Sequence, residues 1–573
     1  MRKVIIGISS YFHESAVCLI INDSVVDYLK EDEITRVKGD FKFPKHSLKL
    51  ILKKHKILEA EIESIIFYEK PFLSWSSITF FSLLKPVVRW KIVLNQFQKF
   101  WTGSLSFSAD IKKLINISSD KIYYNSHHVS HALSGLVFSK DTEKDYLIFV
   151  LDGVGDGETV SIYKKIKSDI LTEYKCLFPD SLGLYYSAFT DYLGFNVNEG
   201  ESKVMGLAAF GEPIYKDLIL NEIIHYNEGE LTLNQSWFAY SFDLEKSYSN
   251  KFNTKFGSPG TPDNYKNING KDFKRMADIA CSTQVALEET LISIVRYYIL
   301  KTGINNIVFA GGLGLNSKAM QKLAEMQEVD EFTVPPSPGD SGAATGAAIY
   351  GYMLSNGFKF PQVSILPGKN YDESVKANIF DNLFKKIEQS SQSNTAVANL
   401  IKSGEIICTF FKDREFGPRA LGSRSILCAG NKDEIIKDLN EKLKKRESFR
   451  PLAPMIRESI AEKYFYIDDK SKHNLYWMGI TVNAKEETIK DYPMTVHYDK
   501  TCRLQLIKSD NIFYENLFIK LEKMNINILI NTSFNVAGDP MVFDYVDCYT
   551  NMVRMGLKYL VTDTGLFEIE INE

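Results

Sequence analysis

The sequence predicts an α/β fold in which a pair of strands beside a glycine-rich turn occurs twice. Residues 3–28 have the hydrophobic pattern of a β-hairpin, and residues 146–164 form a second strand pair around a glycine-rich turn. A third glycine turn, AGGLGLN at 310–316, opens a helix, which is a position suited to an anion or a nucleotide. These observations indicate a duplicated nucleotide-binding fold, although glycines at strand ends often make nothing more than turns.

The remaining elements follow from hydrophobic periodicity and turn residues, and their βαβ order indicates that the duplicated fold is actin-like. Residues 225–270 are rich in Asn, Gly, Ser and Pro and predict an irregular insertion. The break at 356–372 is the best domain boundary, so we expect domains at 1–358 and 372–573. We expect helices near 46–56, 182–194, 202–210 and 273–301 and from Asn316, and strands at 307–312, 405–411, 425–429, 478–483 and 526–530.

Composition limits the function classes. A chain of 573 residues is too long for one core, and its net charge of −4 gives no general case for a nucleic-acid partner. The seven cysteines form no CxxC pair, so neither a zinc ribbon nor a disulfide framework is indicated. The apolar stretch at the N-terminus is too short for a secretory signal, and no run approaches the ~20 apolar residues of a membrane span. We therefore expect a cytoplasmic protein.

One segment stands apart in composition. Residues 70–109 contain no Asp or Glu, and three of the five tryptophans lie there, at Trp75, Trp90 and Trp101. We expect residues 72–101 to form a helical cover over an acceptor cleft. A weaker alternative is a patch that contacts a membrane surface, because basic, Trp-rich amphipathic segments bind at that interface.

Three of the nine histidines fall within five residues, in NSHHVSHALSG at 125–135. The surrounding sequence predicts a helix, so His127 and His131 at i and i+4 share one face, one turn apart. That spacing lets one helix supply two nitrogen ligands to a metal ion. His128 points to another face and is a poor candidate. The alternative is a helix with ordinary surface and core histidines.

Motifs along nearly the whole chain resemble the O-carbamoyltransferases of the NodU/CmcH family. The resemblance implies an actin-like domain of the threonylcarbamoyl-adenosine enzyme type, followed by an α+β YrdC-like domain. It also implies a reaction in which carbamoyl phosphate and ATP form carbamoyl-adenylate, whose carbamoyl group then moves to a substrate hydroxyl. The motifs are HHVSHALSG, LDGVGDGET, ESKVMGLAAFG (201–211), AGGLGLNSKAM (310–320) and PSPGDSGAATGAA (336–348), then REFGPRALGSRSIL (414–427), KKRESFRPLAPMI (444–456) and LINTSFNVAGDPMV (529–542).

In the N-terminal domain the resemblance implies Asp340, in PSPGDSGAATGAA, as the third metal ligand beside His127 and His131. Two imidazoles and a carboxylate fit Fe(II), Zn²⁺ or Mn²⁺, with Fe(II) preferred, and leave positions open for phosphate oxygens or water. Backbone N–H groups of the glycine turns can surround a phosphate, and an Asp there can hold a metal or water. The expected nucleotide-binding residues are Asp152, Gly153, Lys203, Gly311, Gly312 and Asn316.

Carbamoyl phosphate and Mg-bound ATP are polyanions, so joining them needs fixed positive charge. The C-terminal domain supplies basic residues, and arginine suits phosphate because its fork gives two aligned donors. Gly417-Pro418 and Gly422 constrain the backbone around Arg419, which would fix the direction of its guanidinium. A solvated basic face is the alternative, and we prefer it for Lys445. The family pattern implies contacts to carbamoyl phosphate and ATP from Arg419, Lys444 and Arg450, and polar contacts from Asn531, Ser533 and Asn535, which otherwise form a buried turn network.

Carbamoyl transfer also needs a base for the acceptor alcohol. His13 follows the first strand, and imidazole titrates in a suitable range. The family usually has His-Asp at this point, whereas this chain has His13-Glu14. Arg36 and Lys38 are expected to contact the adenylate or the acceptor, and as plain surface charges they need no role.

These observations predict an ATP-dependent carbamoyltransferase. The expected partner is a small-molecule or glycan acceptor with a free hydroxyl, and a homodimer is also expected. One alternative is a sugar kinase or other phosphotransferase on the same actin-like fold, which would not need the C-terminal Arg and Lys motifs. Another is a nucleotide-driven binding protein without enzymatic activity on carbamoyl phosphate.

Overall fold

The structure is a computed structural model that describes residues 2–71, 104–243, 245–369, 380, 383–447, 449–450 and 452–570. The aromatic segment 72–101 lies outside these residues, so its predicted role stays a prediction. The chain divides into two compact units. The first comprises Met1–Ser24, Phe41–Lys45 and Ile57–Gln362, and the second comprises Val25–Asp40, His46–Lys56 and Val363–Glu573. The domain limits 1–358 and 372–573 stay a prediction.

The described strands are β1 (Val4–Ser9), β2 (Ala16–Ile21), β3 (Ser24–Lys30), β4 (Ile62–Phe67), β5 (Ile122–Tyr124), β6 (Tyr146–Gly155), β7 (Glu158–Ile166), β8 (Asp169–Leu177), β9 (Ile224–Asn227), β10 (Glu230–Leu233), β11 (Asn306–Ala310), β12 (Glu331–Thr333), β13 (Gly368–Lys369), β14 (Lys385–Gln389), β15 (Ile407–Phe410), β16 (Asp413–Arg414), β17 (Ser425–Ala429), β18 (Ala453–Arg457), β19 (Val482–Asn483), β20 (Thr501–Cys502), β21 (Gln505–Ile507), β22 (Leu529–Ser533), β23 (Tyr559–Thr562) and β24 (Gly565–Glu568).

The described α-helices are α1 (Glu31–Thr35), α2 (Lys45–Lys54), α3 (Phe107–Leu114), α4 (His127–Leu136), α5 (Leu182–Tyr192), α6 (Glu201–Ala208), α7 (Lys216–Glu222), α8 (Lys251–Phe256), α9 (Lys271–Thr302), α10 (Ser317–Ala324), α11 (Asp340–Asn356), α12 (Ser390–Ser403), α13 (Asp433–Asp438), α14 (Glu458–Ala461), α15 (Glu486–Asp491), α16 (Ile512–Glu522) and α17 (Tyr545–Met555). None of these described helices combines the length and the apolar character needed to cross a bilayer.

Two sheets of the first unit share one arrangement. Strand β1 pairs antiparallel with β2 and parallel with β4, and β4 pairs parallel with β5. In the same way β6 pairs antiparallel with β7 and parallel with β11, and β11 pairs parallel with β12. The predicted mixed α/β class is therefore confirmed, and the repeated pairing supports a duplication.

Small residues let helix α11 lie directly against both β1 and α4. A Cβ atom on Gly7 would come 2.0 Å from the carbonyl oxygen of Ala344, and one on Gly346 would come 1.6 Å from that of Ser130. The small side chains of PSPGDSGAATGAA thus permit a close approach that larger residues would prevent. The approach brings the start of α11 beside the histidines of α4.

The insertion at 225–270 is more regular than the sequence predicts. Strands β9 and β10 pair as a hairpin, and helix α8 packs its aromatic side chains against the buried Trp237. The sequence pattern does not predict this small core, because its apolar residues are widely spaced among polar ones.

The second unit contains an eight-stranded sheet with the order β14-β24-β23-β15-β17-β22-β18-β21. Apolar side chains of α12 and α16 pack against one group of its strand residues, and those of α17 pack against another. The predicted strand at 478–483 is wrong for its first four residues. A turn of 3₁₀-helix at Lys472–Trp477 precedes it, and pairing is confined to β19.

Candidate metal centre and anion site

Four buried side chains of the first unit converge at the start of α4. His127 and His131 lie one turn apart on this helix, and their Nε2 atoms are 3.1 Å apart. Asp340 is the first residue of α11, and its Oδ1 lies 3.3 Å from His131 Nε2 and 3.6 Å from His127 Nε2. Asp152 lies on β6 and brings its Oδ2 to 3.0 and 3.5 Å from the same two nitrogens. One ligand atom from each residue lies within 4.8 Å of all the others.

The electrostatics of this group favour a bound cation. Burial by itself would lower the pKa of His127, but the carboxylates of Asp152 and Asp340 raise it to about 10. Burial would likewise raise the pKa of Asp152, and the two imidazoles hold it well below its usual range. The carboxylates of Asp152 and Asp340 therefore attract a proton or a metal cation to the point that both Nε2 atoms face. A divalent ion bound there would replace the protons of the imidazoles.

The available donor atoms test whether a metal fits. Asp340 Oδ2 is buried and has no hydrogen-bond partner among the described residues. Two imidazole nitrogens that point at one another, between two carboxylates, match the donor set of a transition-metal site. The residues present therefore fit a divalent metal, with Asp152 as a fourth donor.

Neighbouring residues hold these ligands in place. The backbone N–H of His127 donates to Asp156 Oδ2 at 2.8 Å, and that of Gly312 donates to Asp152 Oδ1 at 3.1 Å. A Cβ atom on Gly155 would lie 2.0 Å from the His127 ring, so only glycine leaves room for this imidazole. His128 lies outside the group, because its Nδ1 is 2.7 Å from Ser161 Oγ.

The predicted base and nucleotide residues lie on several elements of the first unit, and only some of them contact the histidine group or its neighbours. Glu14, next to His13, accepts a hydrogen bond at 2.9 Å from Ser341 Oγ, one residue beyond Asp340. Asn316 caps α10 and exchanges hydrogen bonds with Gln284. Gly311 and Gly312 follow β11, and Gly153 lies beside Asp152 on β6. Lys203, on α6, has its Nζ 5.4 Å from the centre of the Phe195 ring.

Arg36 and Lys38 belong to the second unit. The Arg36 guanidinium donates to the carbonyl oxygens of Pro540 and Met541 at 2.9 and 2.6 Å and lies 3.3 Å from Asp547. Lys38 is exposed. Arg36 thus has partners within its own unit, and the predicted roles of both residues stay predictions.

In the second unit, hydrogen bonds fix the loop that carries Arg419. The carboxylate of Glu415 accepts hydrogen bonds from three backbone N–H groups at 2.8–2.9 Å, those of Leu421, Ser423 and Arg424. The Tyr514 hydroxyl donates to the carbonyl oxygen of Gly422 at 2.6 Å, where φ is +111°. These hydrogen bonds therefore hold the backbone that follows Arg419 in one conformation.

Three arginines of this unit have a pKa that neighbouring guanidiniums lower, and a fourth, Arg450, acts on all three. Burial and then Arg450 lower the pKa of Arg419 to about 10, and burial, Arg450 and Arg419 lower that of Arg446 to about 9. Burial and the other three arginines also lower the pKa of Arg503. Within the described residues, Arg419 and Arg446 form no ion pair, while Glu447 lies 3.8 Å from Arg450. We call Arg419, Arg446, Arg450 and Arg503 the guanidinium cluster, and such mutual repulsion favours a bound polyanion.

Lys444 lies beside this cluster and organises the NTSFN turn. Its buried Nζ donates to Asn535 O at 2.6 Å and to Asn535 Oδ1 at 3.0 Å, and also to the carbonyl oxygen of Ser533. Burial and then Arg446 lower the pKa of Lys444. Asn531 Nδ2 donates to the carbonyl oxygen of Ala420 at 2.9 Å, which ties the turn to the Arg419 loop.

Arg414 and Arg424, which also belong to the basic motifs, have partners inside the second unit. Arg414 donates to Glu33 Oε2 and to the carbonyl oxygen of Tyr28, both at 2.6 Å. Arg424 donates to the carbonyl oxygen of Phe411 at 2.6 Å and stacks 3.6 Å above the Phe410 ring. These two guanidiniums stabilise the fold.

For two of these residues the sequence pattern does not indicate the role that the structure gives them. It predicts Asp152 at a nucleotide, although an Asp in its turn also suits a metal, and the structure adds it to the histidine group. Arg503 lies between the short strands β20 and β21, with no glycine or further basic residue beside it to indicate a role. Only the folded chain brings it to the other arginines.

Residues 4–349 match the family model described as Carbamoyltransferase N-terminus, and residues 398–568 match Carbamoyltransferase C-terminus. The uncharacterized protein sll1178 of Synechocystis sp. is 30% identical over 98% of this chain and 95% of its own length. The nodulation protein NolNO of Sinorhizobium fredii is 28% identical over 98% of this chain and 79% of its own.

The nodulation protein NolO of Bradyrhizobium diazoefficiens is 30% identical, covering 76% of this chain and 77% of its own length. Among solved structures, component A of (R)-2-hydroxyglutaryl-CoA dehydratase from Acidaminococcus fermentans matches with a TM-score of 0.33 and 13% identity, over 62% of this chain and 99% of its own. The two family matches cover both halves of the chain in order, so this protein belongs to the carbamoyltransferase family and is a transferase enzyme.

Proposed function

We propose that this enzyme is an ATP-dependent O-carbamoyltransferase that works through carbamoyl-adenylate. Carbamoyl phosphate loses phosphate to water and gives carbamate. A carbamate oxygen attacks the α-phosphorus of ATP, and pyrophosphate leaves. The acceptor hydroxyl oxygen then attacks the carbamoyl carbon, AMP leaves, and the hydroxyl proton passes to a base.

The guanidinium cluster is the observation that carries this proposal. Carbamoyl phosphate and ATP repel each other, so their reaction needs concentrated positive charge in a site shielded from water. The neighbouring positive charges at Arg419, Arg446 and Arg503 are unfavourable by themselves, and an anion bound between them would offset their repulsion. Arg419, Arg450 and Lys444 are the residues that we assign to carbamoyl phosphate and Mg-bound ATP, with Arg446 and Arg503 beside them.

We assign carbamoyl transfer to the first unit, as an actin-like domain, and adenylate formation to the second, as a YrdC-like domain. His127, His131, Asp152 and Asp340 would hold the metal ion, which when bound polarises donor oxygens. We assign Gly153, Gly311 and Gly312, in the turns that follow Asp152 and β11, to the nucleotide, and His13 takes the acceptor proton. The acceptor is a hydroxyl of a sugar or other natural product.

The alternatives predict different products. A phosphotransferase of the same fold releases ADP and has no use for carbamoyl phosphate, and a nucleotide-driven binding protein hydrolyses ATP to ADP. Membership of the carbamoyltransferase family argues against both.

Incubation with ATP and ¹⁴C-labelled carbamoyl phosphate tests the proposal. We expect AMP and pyrophosphate, formed only when carbamoyl phosphate is present, and label in a hydroxyl compound from a panel of sugars. ADP as the sole nucleotide product, or AMP formation without any need for carbamoyl phosphate, would contradict the adenylate route.

A further inference from the structure

Tyr68 faces the histidine group and has no assigned role. It directly follows β4, and its backbone N–H donates to the carbonyl oxygen of Ile8 at 3.0 Å. Its own carbonyl oxygen accepts a hydrogen bond at 2.9 Å from Ser130 Oγ, on the helix that carries both imidazoles. The centre of its ring lies 5.0 Å from that of His127. The backbone on both sides therefore holds this phenol against the candidate metal ligands.

The hydroxyl of Tyr68 has no hydrogen-bond partner among the described residues, although the side chain is completely buried. Buried tyrosine hydroxyls usually have a partner, because an unmade hydrogen bond in a protein interior costs about 1–3 kcal/mol. Tyr185, which is equally buried, follows that rule and donates to the carbonyl oxygen of Thr283 at 3.1 Å.

The residue after Tyr68 also lies beside the candidate metal group. Glu69 brings a carboxylate oxygen to 4.0 Å from His127 Nδ1. A phenol hydroxyl is a hydrogen-bond donor that an oxygen atom of a bound substrate can satisfy.

We propose that the Tyr68 hydroxyl donates a hydrogen bond to the carbamoyl oxygen during transfer, an inference that rests on the proposed function. When the acceptor oxygen bonds to the carbamoyl carbon, the carbonyl π electrons move onto its oxygen as negative charge. That charge returns as the C=O bond reforms and the bond to AMP breaks. Tyr68 keeps its proton throughout and stabilises the oxygen while it is negative.

The test compares Tyr68→Phe with Tyr185→Phe, since each variant deletes one buried hydroxyl from the same unit. Carbamoyl-adenylate is formed on each enzyme from limiting ¹⁴C-labelled carbamoyl phosphate and excess ATP. Its consumption is then followed with glycerol as the hydroxyl acceptor. Pyrophosphate release, Co²⁺ stoichiometry by absorption spectroscopy and the melting temperature are measured on the same preparations.

For Tyr68→Phe we expect consumption of the adenylate to slow by roughly 100-fold, the loss typical of one oxyanion donor. Pyrophosphate release and Co²⁺ binding should not change, and the melting temperature should be equal or higher because an unpartnered hydroxyl has been removed. Tyr185→Phe should show the reverse: a lower melting temperature and full transfer activity.

Several results would overturn the role of Tyr68. Equal transfer rates in wild type and Tyr68→Phe would show that the hydroxyl stabilises nothing in the reaction. Loss of Co²⁺ from Tyr68→Phe would show that it supports the metal group instead. A wild-type enzyme that releases no pyrophosphate would overturn the proposed function itself, and the inference with it.

Discussion

The two candidate sites combine charges in opposite ways. In the first unit, imidazoles lie 3.0–3.6 Å from the carboxylates of Asp152 and Asp340, so positive and negative groups alternate. In the second unit, Arg419 and Arg446 form no ion pair among the described residues, and neighbouring guanidiniums lower the pKa of each. One arrangement attracts a small cation, and the other attracts a polyanion.

Residue chemistry explains why each type appears where it does. An imidazole can release its proton to a metal ion, so histidine suits a site that exchanges a proton for a cation. A guanidinium stays charged even when burial and repulsion lower its pKa to about 9, as in Arg446. An arginine in this site therefore keeps its positive charge before an anion binds.

The largest effect is expected when the cation site loses a ligand. Asp340→Asn and His131→Ala should each abolish stoichiometric Co²⁺ binding and reduce carbamoyl transfer by roughly 1000-fold or more. Pyrophosphate release should continue, because the guanidinium cluster is unchanged. The exposed His225, on β9, supplies a control: His225→Ala should retain the metal and full transfer. Retention of metal by both site variants would show that the group is not a metal centre.

Substitutions in the anion site should slow the other half-reaction, the formation of carbamoyl-adenylate. Arg419→Ala should reduce carbamoyl-phosphate-dependent pyrophosphate release by roughly 30- to 1000-fold, equivalent to ~2–4 kcal/mol of transition-state stabilisation. Co²⁺ binding should be unaffected. Lys445→Ala, at an exposed position next to the cluster, is the matched control and should behave as wild type. If Arg419→Ala instead loses metal and keeps pyrophosphate release, the division of labour between the two sites is wrong.

Arg414 distinguishes a guanidinium that stabilises the fold from one that binds an anion. Arg414→Met removes a partner of the largely buried Glu33 carboxylate and should lower the free energy of unfolding by about 3 kcal/mol. Denaturant unfolding measures this loss. Pyrophosphate release per folded molecule should stay within a few-fold of wild type, whereas an effect as large as that of Arg419→Ala would place Arg414 in the anion site.

The smallest effect concerns pH. The pKa of His127 in the folded protein is about 10, above the ~6.5 of an unfolded chain, so its protonation stabilises the fold fully below that lower value. Metal-stripped protein should therefore lose stability as pH rises from about 6.5 to about 10, while its affinity for Co²⁺ increases because fewer protons must be displaced. Melting curves and Co²⁺ titrations across this range test both trends, and affinity that falls with rising pH would contradict the assignment.

Local pattern was enough to predict several features of this protein. The helical spacing of His127 and His131, the paired strands predicted at 146–153 and 158–164, and the long helix predicted at 273–301 all follow from periodicity within short windows. Backbone geometry imposes these periods, so they can be predicted without the rest of the chain. The glycines around Arg419 likewise indicated a constrained loop, and φ is +95° at Gly417.

By itself the sequence determined that one helix carries two imidazoles and that a second region carries closely spaced cations. Only the tertiary structure decided which distant groups complete each site: Asp152 and Tyr68 beside the histidines, and Arg503 beside Arg419. No local period links residues so far apart in the chain. The contacts depend on strand pairing and on the close packing of α11, and the charges that meet there respond to burial, which is a property of the whole fold.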